Sequence, residues 1–565
     1  MTLVKSIVIL SLNRSIKPMK QINIKRFLAR FSCVLLLIAQ PVPAANDWIY
    51  VVKQGDNLWD LAREYLIDIA HWHQLQQLNN IADPYHIPPG TKLRVPIRWI
   101  SQSPILARIG SLHGQATLIE GGGQEESSLT QGTFVFKGDA ILTKADSTLL
   151  LEFVDGSTLL LQPNSRLELS HLNIYGKTGM VDTRLRLNQG RVETKVEKKQ
   201  GPASRFEIST PASITSVRGT DYRVGSEATE QQSFTEVLEG GVNLKSGGNT
   251  KLISGGYGAV AKANQPPSAP ISLLEAIDTQ ALPSEYGRNP VQFTLPNDAN
   301  TKGYRVQIAK DRAFTEVIFD RQYNSYLIRG PELEDADYFA HIRAIDENGL
   351  EGKNADYFFT VNARPEAPIM QEPKPEAGLT EETPAFIWAR QQDINQYHFQ
   401  LAKDKAFKDL VVDLPALSEA GVNSGYQLQL GQYFWRVASI SSTEGHGPFS
   451  DPQTFKRVVP PPQAEEPEIS DTTLVLNWPA DLPGSQYHFQ MAKDQAFTEI
   501  VYDKQVDAAK VELDRPEGGE YYIRVSTLYA DGFKGPFGKP QIIDVPDSGW
   551  YWWLLTVLPF ALFAL

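Results

Sequence analysis

The second half of the chain contains one sequence pattern three times, and this repeat constrains the fold more than any other feature. YRVQIAKDRAFTEVIFD begins at Tyr304, YHFQLAKDKAFKDLVVD at Tyr397 and YHFQMAKDQAFTEIVYD at Tyr487, so the copies are 93 and 90 residues apart. Self-similarity at a fixed period indicates that each copy is one structural unit. A large apolar residue stands nine positions before each tyrosine: Leu295, Trp388 and Trp478.

Each copy also carries a late strand-like segment with an arginine, at Arg343, Arg436 and Arg524. About ninety residues, a core tryptophan and a late Tyr-x-x-Arg-Val strand resemble bacterial fibronectin type III or Ig-like sandwiches. The resemblance implies three β-sandwich repeats, at 268–362, 366–458 and 459–545. We interpret the recurring AKDxAF as a shared strand and turn, and the arginine stems as cover for neighbouring rings. The proline-rich segments between the copies are typical of semi-rigid linkers.

A fifty-residue module at 46–98 precedes this region. Leu58, Leu61, Ala62 and Tyr65 follow helical spacing after a Gly-Asp turn, and a second helical stretch ends at Asn79-Asn80. Short apolar runs at 50–52 and 92–95 predict two strands, which gives a βααβ module. VVKQGDNL, LNNIADPYHIPPG and KLRVP resemble the LysM family closely, with asparagine in place of the family's threonine at position 57.

The LysM resemblance implies binding of N-acetylglucosamine glycans, here peptidoglycan. The family's groove lies between the loop that enters the first helix and the loop that leaves the second. Carried onto this chain, the glycan-binding residues are Gly55, Asp56, Asn57, Leu58, Asn79, Asn80 and Ile81. The alternative is that 55–58 is only turn and capping chemistry.

Residues 105–263 read as strands throughout. STLLLEFVDGSTLLLQPNSRLEL alternates apolar residues around an Asp-Gly turn, and turn signals recur every eight to twelve residues. This pattern predicts an all-β domain whose strands stack as a solenoid or a flattened closed sheet. GDAILTKADSTLLLEFVDGSTLLLQPNSRLEL, LRLNQGRVET, TPASITSVRGTDYRV and TEVLEGGVNLKSG resemble the periplasmic domain of the FecR family, sensors of iron-siderophore uptake. No anti-sigma segment is visible, so the resemblance implies an interaction domain and not the iron-signalling role.

Arg218, in the Val-Arg-Gly-Thr corner of that domain, has two interpretations. Gly219 can make a corner that Arg218 ties to a carbonyl or carboxylate. Alternatively, Arg218 faces a partner or an anionic ligand, which makes it the one interaction candidate outside the LysM-like module.

The two ends of the chain carry targeting signals. Residues 1–44 have a basic segment, an apolar run and QPVPA, which predicts a signal peptide cleaved after Ala44; an uncleaved anchor is the alternative. Residues 549–565 are apolar and aromatic, and 550–565 would span roughly 24 Å as a helix. We expect a membrane anchor there, with a sorting tail or a strand on the last domain as alternatives.

Charge and motifs exclude several classes of function. Residues 1–44 hold seven positive charges and no acid, so the remainder carries −19, seven below the −12 of the whole chain. Such an acidic body is a poor binder of nucleic acid. The only cysteine, Cys33, lies in the leader, so the mature chain has no thiol nucleophile. No catalytic motif, cofactor fingerprint or metal-ligand cluster is visible, and we predict no enzyme, no cofactor and no metal site.

The sequence therefore predicts a multidomain, mainly β protein of the periplasm or cell envelope. It is exported, binds peptidoglycan through its LysM-like module, and presents a FecR-like interaction domain on a β-sandwich arm to an envelope protein partner. The alternative is an envelope sensor that retains FecR-like signalling through a partner protein. A wall-active enzyme is a third class.

Overall fold

The computed structural model describes residues 47–198, 201–227, 229–423, 425–480 and 483–547. The predicted signal peptide at 1–44 and the apolar segment at 549–565 lie outside these ranges. The described residues divide into two compact units: 47–103 with 174–180 and 201–204, and the other described residues. Across the described ranges, no helix combines the length and apolar composition needed to cross a bilayer. The prediction of a mainly β, multidomain fold is confirmed.

The first unit is built around the predicted βααβ module. Its elements are β1 (Asp47–Val51), α1 (Leu58–Tyr65), α2 (His71–Asn79) and β2 (Lys92–Pro96), followed by a 3-10 turn at Ile97–Trp99. The two strands pair antiparallel, with Tyr50 opposite Leu93. Leu58, Leu61 and Ala62 form the buried face of α1, and Leu75 is buried on α2, so each helix packs one side against the core. Tyr175 and Met180, from the separate segment 174–180, complete this core.

The FecR-like domain is all β, as predicted. Its strands are β3 (Gln102–Pro104), β4 (Ala107–His113), β5 (Ala116–Ile119), β6 (Glu126–Ser128), β7 (Phe134–Val135), β8 (Ala140–Thr143), β9 (Thr148–Phe153), β10 (Thr158–Leu161), β11 (Arg166–Tyr175), β12 (Met180–Val196), β13 (Arg205–Ser209), β14 (Ile214–Val217), β15 (Thr220–Glu227), β16 (Gln232–Glu239), β17 (Gly241–Ser246), β18 (Asn249–Ser254), β19 (Tyr257–Lys262) and β20 (Ile271–Ser272). Alternate residues of these strands point inward and form one apolar core.

Strand β12 passes from one sheet of this domain to another. Its residues 182–186 pair in parallel with β13, whereas residues 190–196 pair antiparallel with β15. The crossing needs Gly190, which has φ +90°, because a Cβ there would lie 2.1 Å from the Ser165 Oγ. The strand thereby contributes to two sheets that enclose the same core.

The first sandwich contains β21 (Glu285–Tyr286), β22 (Gln292–Thr294), β23 (Gly303–Ala309), β24 (Val317–Tyr323), β25 (Leu327–Arg329), β26 (Ala336–Ile345) and β27 (Ala355–Val361). A sheet of order β21-β27-β26-β23-β24 faces the pair β22-β25. Their inner faces form one core, in which Leu295 is buried.

The second and third sandwiches repeat this plan. The second has β28 (Met370–Glu372), β29 (Ala377–Leu379), β30 (Ala385–Trp388), β31 (Gln396–Ala402), β32 (Leu410–Leu417), β33 (Gly421–Asn423), β34 (Gly431–Ser441), β35 (Gly445–Phe449) and β36 (Gln453–Arg457). The third has β37 (Glu468–Ile469), β38 (Thr473–Asn477), β39 (Gln486–Ala492), β40 (Ile500–Val506), β41 (Lys510–Asp514), β42 (Gly519–Leu528) and β43 (Gln541–Val545). Trp388 and Trp478 are buried beside Tyr397 and Tyr487, as the spacing predicts.

The recurring AKDxAF is a turn in all three sandwiches. The carboxylate of Asp311 accepts backbone N–H groups of Ala313, Thr315 and Glu316, and Asp404 and Asp494 hold their own turns in the same way. Backbone hydrogen bonds lower the pKa of Asp404 and Asp494, because they favour the charged carboxylate. The motif is thus part of the scaffold.

Candidate functional site

The loop that enters α1 is held by its own side chains. The Asp56 carboxylate accepts the Tyr50 hydroxyl at 2.6 Å and the Lys53 backbone N–H at 2.7 Å. Burial, followed by the Asp56 hydrogen bond, raises the pKa of Tyr50. Asn57 caps α1, because its Oδ1 accepts the Asp60 N–H at 2.9 Å. Two of the predicted glycan-binding side chains therefore maintain this loop.

The loop that leaves α2 is held in a similar way. The Asn79 amide donates to the carbonyls of Leu75 and Arg94 at 2.9 Å and accepts the Arg94 N–H at 2.6 Å. Asn80 ends the helix in the left-handed region at φ 51°, with its side chain exposed. Ile81 is half-buried, and its N–H donates to the Gln76 carbonyl. This loop thus presents Asn80 to solvent and uses Asn79 as a brace.

The structure brings the two loops together. The N–H of Leu58, itself buried, donates to the carbonyl of Pro84 at 2.9 Å. Tyr85 follows Pro84 and is 63% exposed, which makes it a solvent-facing aromatic residue at the edge of the paired loops. Sequence reasoning did not single out Pro84 and Tyr85, although both stand inside the quoted segment LNNIADPYHIPPG. Around the exposed Gly55 and Asn80, the paired loops offer backbone groups and short polar side chains.

The Arg218 corner lies between β14 and β15. Gly219 takes φ +117°, and a Cβ there would approach the Lys198 Cα to 2.8 Å, so the corner requires glycine. The Arg218 side chain is exposed. The corner is therefore built by the glycine, while the arginine faces solvent.

A cluster of buried and half-buried charges joins the FecR-like domain to the first sandwich, and sequence reasoning missed it. We call it the junction cluster: Arg191, Glu193, Arg223 and Glu236 from the FecR-like domain, and Arg305, Asp320, Arg343 and Glu351 from the sandwich. Four arginines thus meet four carboxylates, in line with the rule that buried charges are paired. No local motif predicts the cluster, because its members come from six strands and one turn.

Glu351 stands at the centre of the junction cluster. Its carboxylate lies 3.1 Å from the Arg191 Nε, 3.2 Å from an Arg223 Nη and 3.0 Å from an Arg343 Nη, with Arg305 at 3.4 Å. Burial alone would raise the pKa of Glu351, but the four arginines together hold it well below its usual value. The carboxylate is therefore charged, and it bridges the two domains.

Other contacts extend this junction. Arg343 donates to Glu193 of the FecR-like domain at 2.6 Å, and Arg223 donates to the Gly352 carbonyl at 2.9 Å. Burial, followed by the charge of Arg343, lowers the pKa of His341 to about 3, so this histidine is neutral. A face of the FecR-like domain is consequently covered by the chain's own first sandwich.

Within the described ranges, no three or more histidine, cysteine, aspartate or glutamate side chains come together in a group that could hold a metal ion.

Two family models match parts of the chain. The LysM domain model matches residues 50–96, and the FecR protein model matches residues 139–243. The chain carries a LysM domain and a FecR domain. Both families are non-catalytic, and they indicate a protein of the cell envelope.

Individual relatives cover only parts of the chain. An uncharacterised protein of Deinococcus radiodurans is 42% identical over 51 residues, which is 9% of this chain and 20% of that protein. A Parabacteroides distasonis structure described as an anti-sigma factor has 10% identity and TM-score 0.20, over 24% of this chain and 59% of that one. A two-domain fibronectin type III segment of chicken tenascin has 14% identity and TM-score 0.20, over 32% of this chain and 100% of the segment.

Proposed function

We propose that this chain is a non-catalytic cell-envelope protein that binds peptidoglycan through its LysM domain. The supporting observation is the pairing of the two loops through the Leu58 to Pro84 hydrogen bond. This pairing sets Gly55, Asp56, Asn57 and Leu58 beside the segment that follows Asn79, Asn80 and Ile81. Backbone groups and short polar side chains suit an uncharged N-acetylated amino sugar, which an acidic protein can bind without charge repulsion.

The assignment of roles within this surface follows from the hydrogen bonds. Asp56, Asn57 and Asn79 maintain the loops, whereas Gly55, Asn80 and the adjacent Tyr85 contact the glycan. A tyrosine ring can pack its apolar face on a ligand while its hydroxyl group stays in contact with water. Tyr85 therefore extends the groove beyond the residues that the family resemblance indicates.

The remaining regions present and position this anchor. In this proposal, residues 1–44 direct export, 46–98 bind the wall, 105–263 form the interaction domain, and the sandwiches at 268–362, 366–458 and 459–545 form an arm. Residues 549–565 attach the far end to a membrane. The protein lies in the periplasm, and Arg218, exposed at its corner, is the contact residue for an envelope protein partner.

Co-sedimentation with purified sacculi tests the wall-binding proposal. The mature chain, residues 45–565, is expected to pellet with sacculi. Asn80→Gly and Tyr85→Ala each remove a side chain that contacts the glycan in this proposal, so we expect each to weaken pelleting several-fold. Glycine retains the left-handed conformation at position 80, so the loop keeps its shape. Tyr326→Ala, at an exposed tyrosine of the first sandwich, is the matched control. Failure of the unaltered chain to pellet would reject the proposal.

A sensor that signals through a partner is the second candidate, and the FecR family match favours it. Deletion of the gene should then change the regulon of a sigma factor, whereas the anchoring function predicts no such change. Release of muropeptides from sacculi by the purified chain would instead indicate a wall-active enzyme, and the proposal predicts none.

A further inference from the structure

An apolar row crosses the four-stranded sheet of the third sandwich. Ala492 pairs with Ile500 on one side and with Tyr522 on the other, and Tyr522 pairs with Ile542. Directly opposed residues of antiparallel strands share one face of the sheet. Ile500 is 43% exposed and Ile542 is 60% exposed, while Ala492 is buried between them. We call these four residues the outer row.

The equivalent row of the first sandwich is a docking surface within the chain. There Ala309 pairs with Val317 and with Phe339. Ala309 and Val317 pack against Leu150 and Leu160 of the FecR domain, and Val317 is only 2% exposed. The first sandwich therefore shows that the face of another β-sheet can cover this row.

The second sandwich has a weaker version of the row. Leu410 is 40% exposed and pairs with Ala402, which pairs with Phe434, but the next residue across is Thr454. Only the third sandwich, among the three, carries an exposed aliphatic residue at each end of the row.

Charges flank the outer row asymmetrically. Glu520 and Asp544 are paired and exposed on one side of it. Arg524 lies on the other side, between the rings of Phe497 and Phe537 at 3.9 and 4.3 Å. The same side also holds His488, bonded to Asp503, and the exposed Lys534. The two sides therefore differ: one holds the carboxylates of the Glu520 and Asp544 cross-strand pair, and the other holds Arg524, Lys534 and the mutually bonded His488 and Asp503.

We propose that the third sandwich packs face to face with the third sandwich of a second copy of this chain, about a two-fold axis along the outer row. Rotation about this axis reverses the strand direction, so the accessible row residues Ile500, Tyr522 and Ile542 each meet their own counterpart. Glu520 and Asp544 of one copy then face Arg524 of the other. A two-fold interface requires this kind of self-complementary surface.

The expected association is weak. Four strands about 4.8 Å apart and five residues at about 3.3 Å each give roughly 300 Å² per copy. A standard interface buries about 800 Å² per partner. Two copies held on one surface would raise the effective concentration and favour the contact.

Single cysteines test the geometry, because Cys33 is the only native cysteine and precedes the proposed cleavage site. Facing sheets lie about 10 Å apart, too far for a disulfide, so a short bismaleimide is the probe. In the purified mature chain, Ile500→Cys and Ile542→Cys should each cross-link at least tenfold faster than Leu410→Cys. That control stands at the equivalent strand position with matched exposure.

A second substitution tests whether cross-linking reports contact between two copies or only the accessibility of the cysteine. Ile542→Asp in the Ile500→Cys chain should reduce cross-linking at least tenfold while labelling by a monofunctional maleimide stays constant. Cross-linking of Ile500→Cys within twofold of the control would overturn the proposal. Slow monofunctional labelling of Ile500→Cys would also overturn it, because the row would then be covered within its own chain. None of these outcomes depends on glycan binding.

Discussion

Glu351→Gln removes the central charge of the junction cluster and keeps the shape of the side chain. Four arginines lie within 3.4 Å of that carboxylate, and Glu351 is fully buried. Removing one partner of a buried ion pair typically costs about 3–5 kcal/mol, because the opposite charges remain desolvated. We expect the substitution to lower the free energy that holds the FecR domain to the first sandwich by about this amount.

Hydrogen exchange measured by mass spectrometry resolves this effect. No tryptophan lies between residues 100 and 387, so tryptophan fluorescence does not report on the junction. A loss of about 3–5 kcal/mol corresponds to exchange roughly two to four decades faster. The acceleration should appear both in peptides around Arg343 and in peptides around Arg223, because opening the junction exposes both sides.

Glu347→Gln is the matched control, since Glu347 lies in the same turn and is exposed. It should leave exchange within about threefold of the native chain, as surface substitutions usually change stability by less than 0.5 kcal/mol. If Glu351→Gln behaves like this control, the buried charges do not hold the two domains together. Acceleration confined to the turn itself would likewise contradict the reasoning.

Three further changes test other parts of the fold. The folded pKa of Glu351 is depressed, so the charged carboxylate contributes its full stabilisation above the unfolded pKa of about 4.5 and loses it as pH falls through the folded pKa. Hydrogen exchange at the junction should therefore accelerate over that pH window in the native chain, and accelerate less in Glu351→Gln. Gly190→Ala should lower the free energy of unfolding in urea by about 2–5 kcal/mol, because alanine there has a positive φ and clashes with Ser165. Gly248→Ala, also at a positive φ but with no atom near its Cβ, should lower it by about 1 kcal/mol. Asn79→Ala loses three hydrogen bonds and should destabilise the LysM domain by about 2–3 kcal/mol, measured by tryptophan fluorescence.

The sequence predicted the parts of the fold that depend on local pattern. The period of the repeat placed Trp388 and Trp478 in their cores, and helical spacing placed Leu58, Leu61 and Ala62 on the buried face of α1. The tryptophans follow from comparison of the repeats, and the buried face of α1 follows from spacing within one helix, so neither requires knowledge of a tertiary contact.

The spacing of the repeated arginines did not predict that they occupy different strand positions in the first and second sandwiches. Arg436 faces Gln400 across the sheet and packs on Phe407, as a stem over a ring is expected to do. The residue that faces Gln307 in the first sandwich is His341, whereas Arg343 is two positions further along. A shift of two residues leaves a side chain on the same face of a strand, so alternation cannot detect it.

The junction cluster could not be predicted because burial there depends on a neighbouring domain. Arg305 and His398 occupy equivalent positions 93 residues apart, as do Asp320 and Asp413. Asp320 is buried, whereas the Asp413 side chain is 46% exposed. The first sandwich packs on the FecR domain here, as the ion pairs of Glu351 with Arg191 and Arg223 show. The same strand positions therefore lie in different environments, and only the tertiary contact distinguishes them.

This contact also limits how the FecR domain could recognise a partner. A protein that bound the face holding Arg191, Arg223 and Glu236 would first have to displace the first sandwich and leave its buried charges unpaired. The roughly 3–5 kcal/mol associated with one broken pair would weaken such binding by about two to four decades. The Arg218 corner carries no such cost, because its arginine is already exposed. If the FecR domain binds another envelope protein, Arg218→Glu should therefore weaken that binding, whereas Glu351→Gln, which loosens the junction, should not.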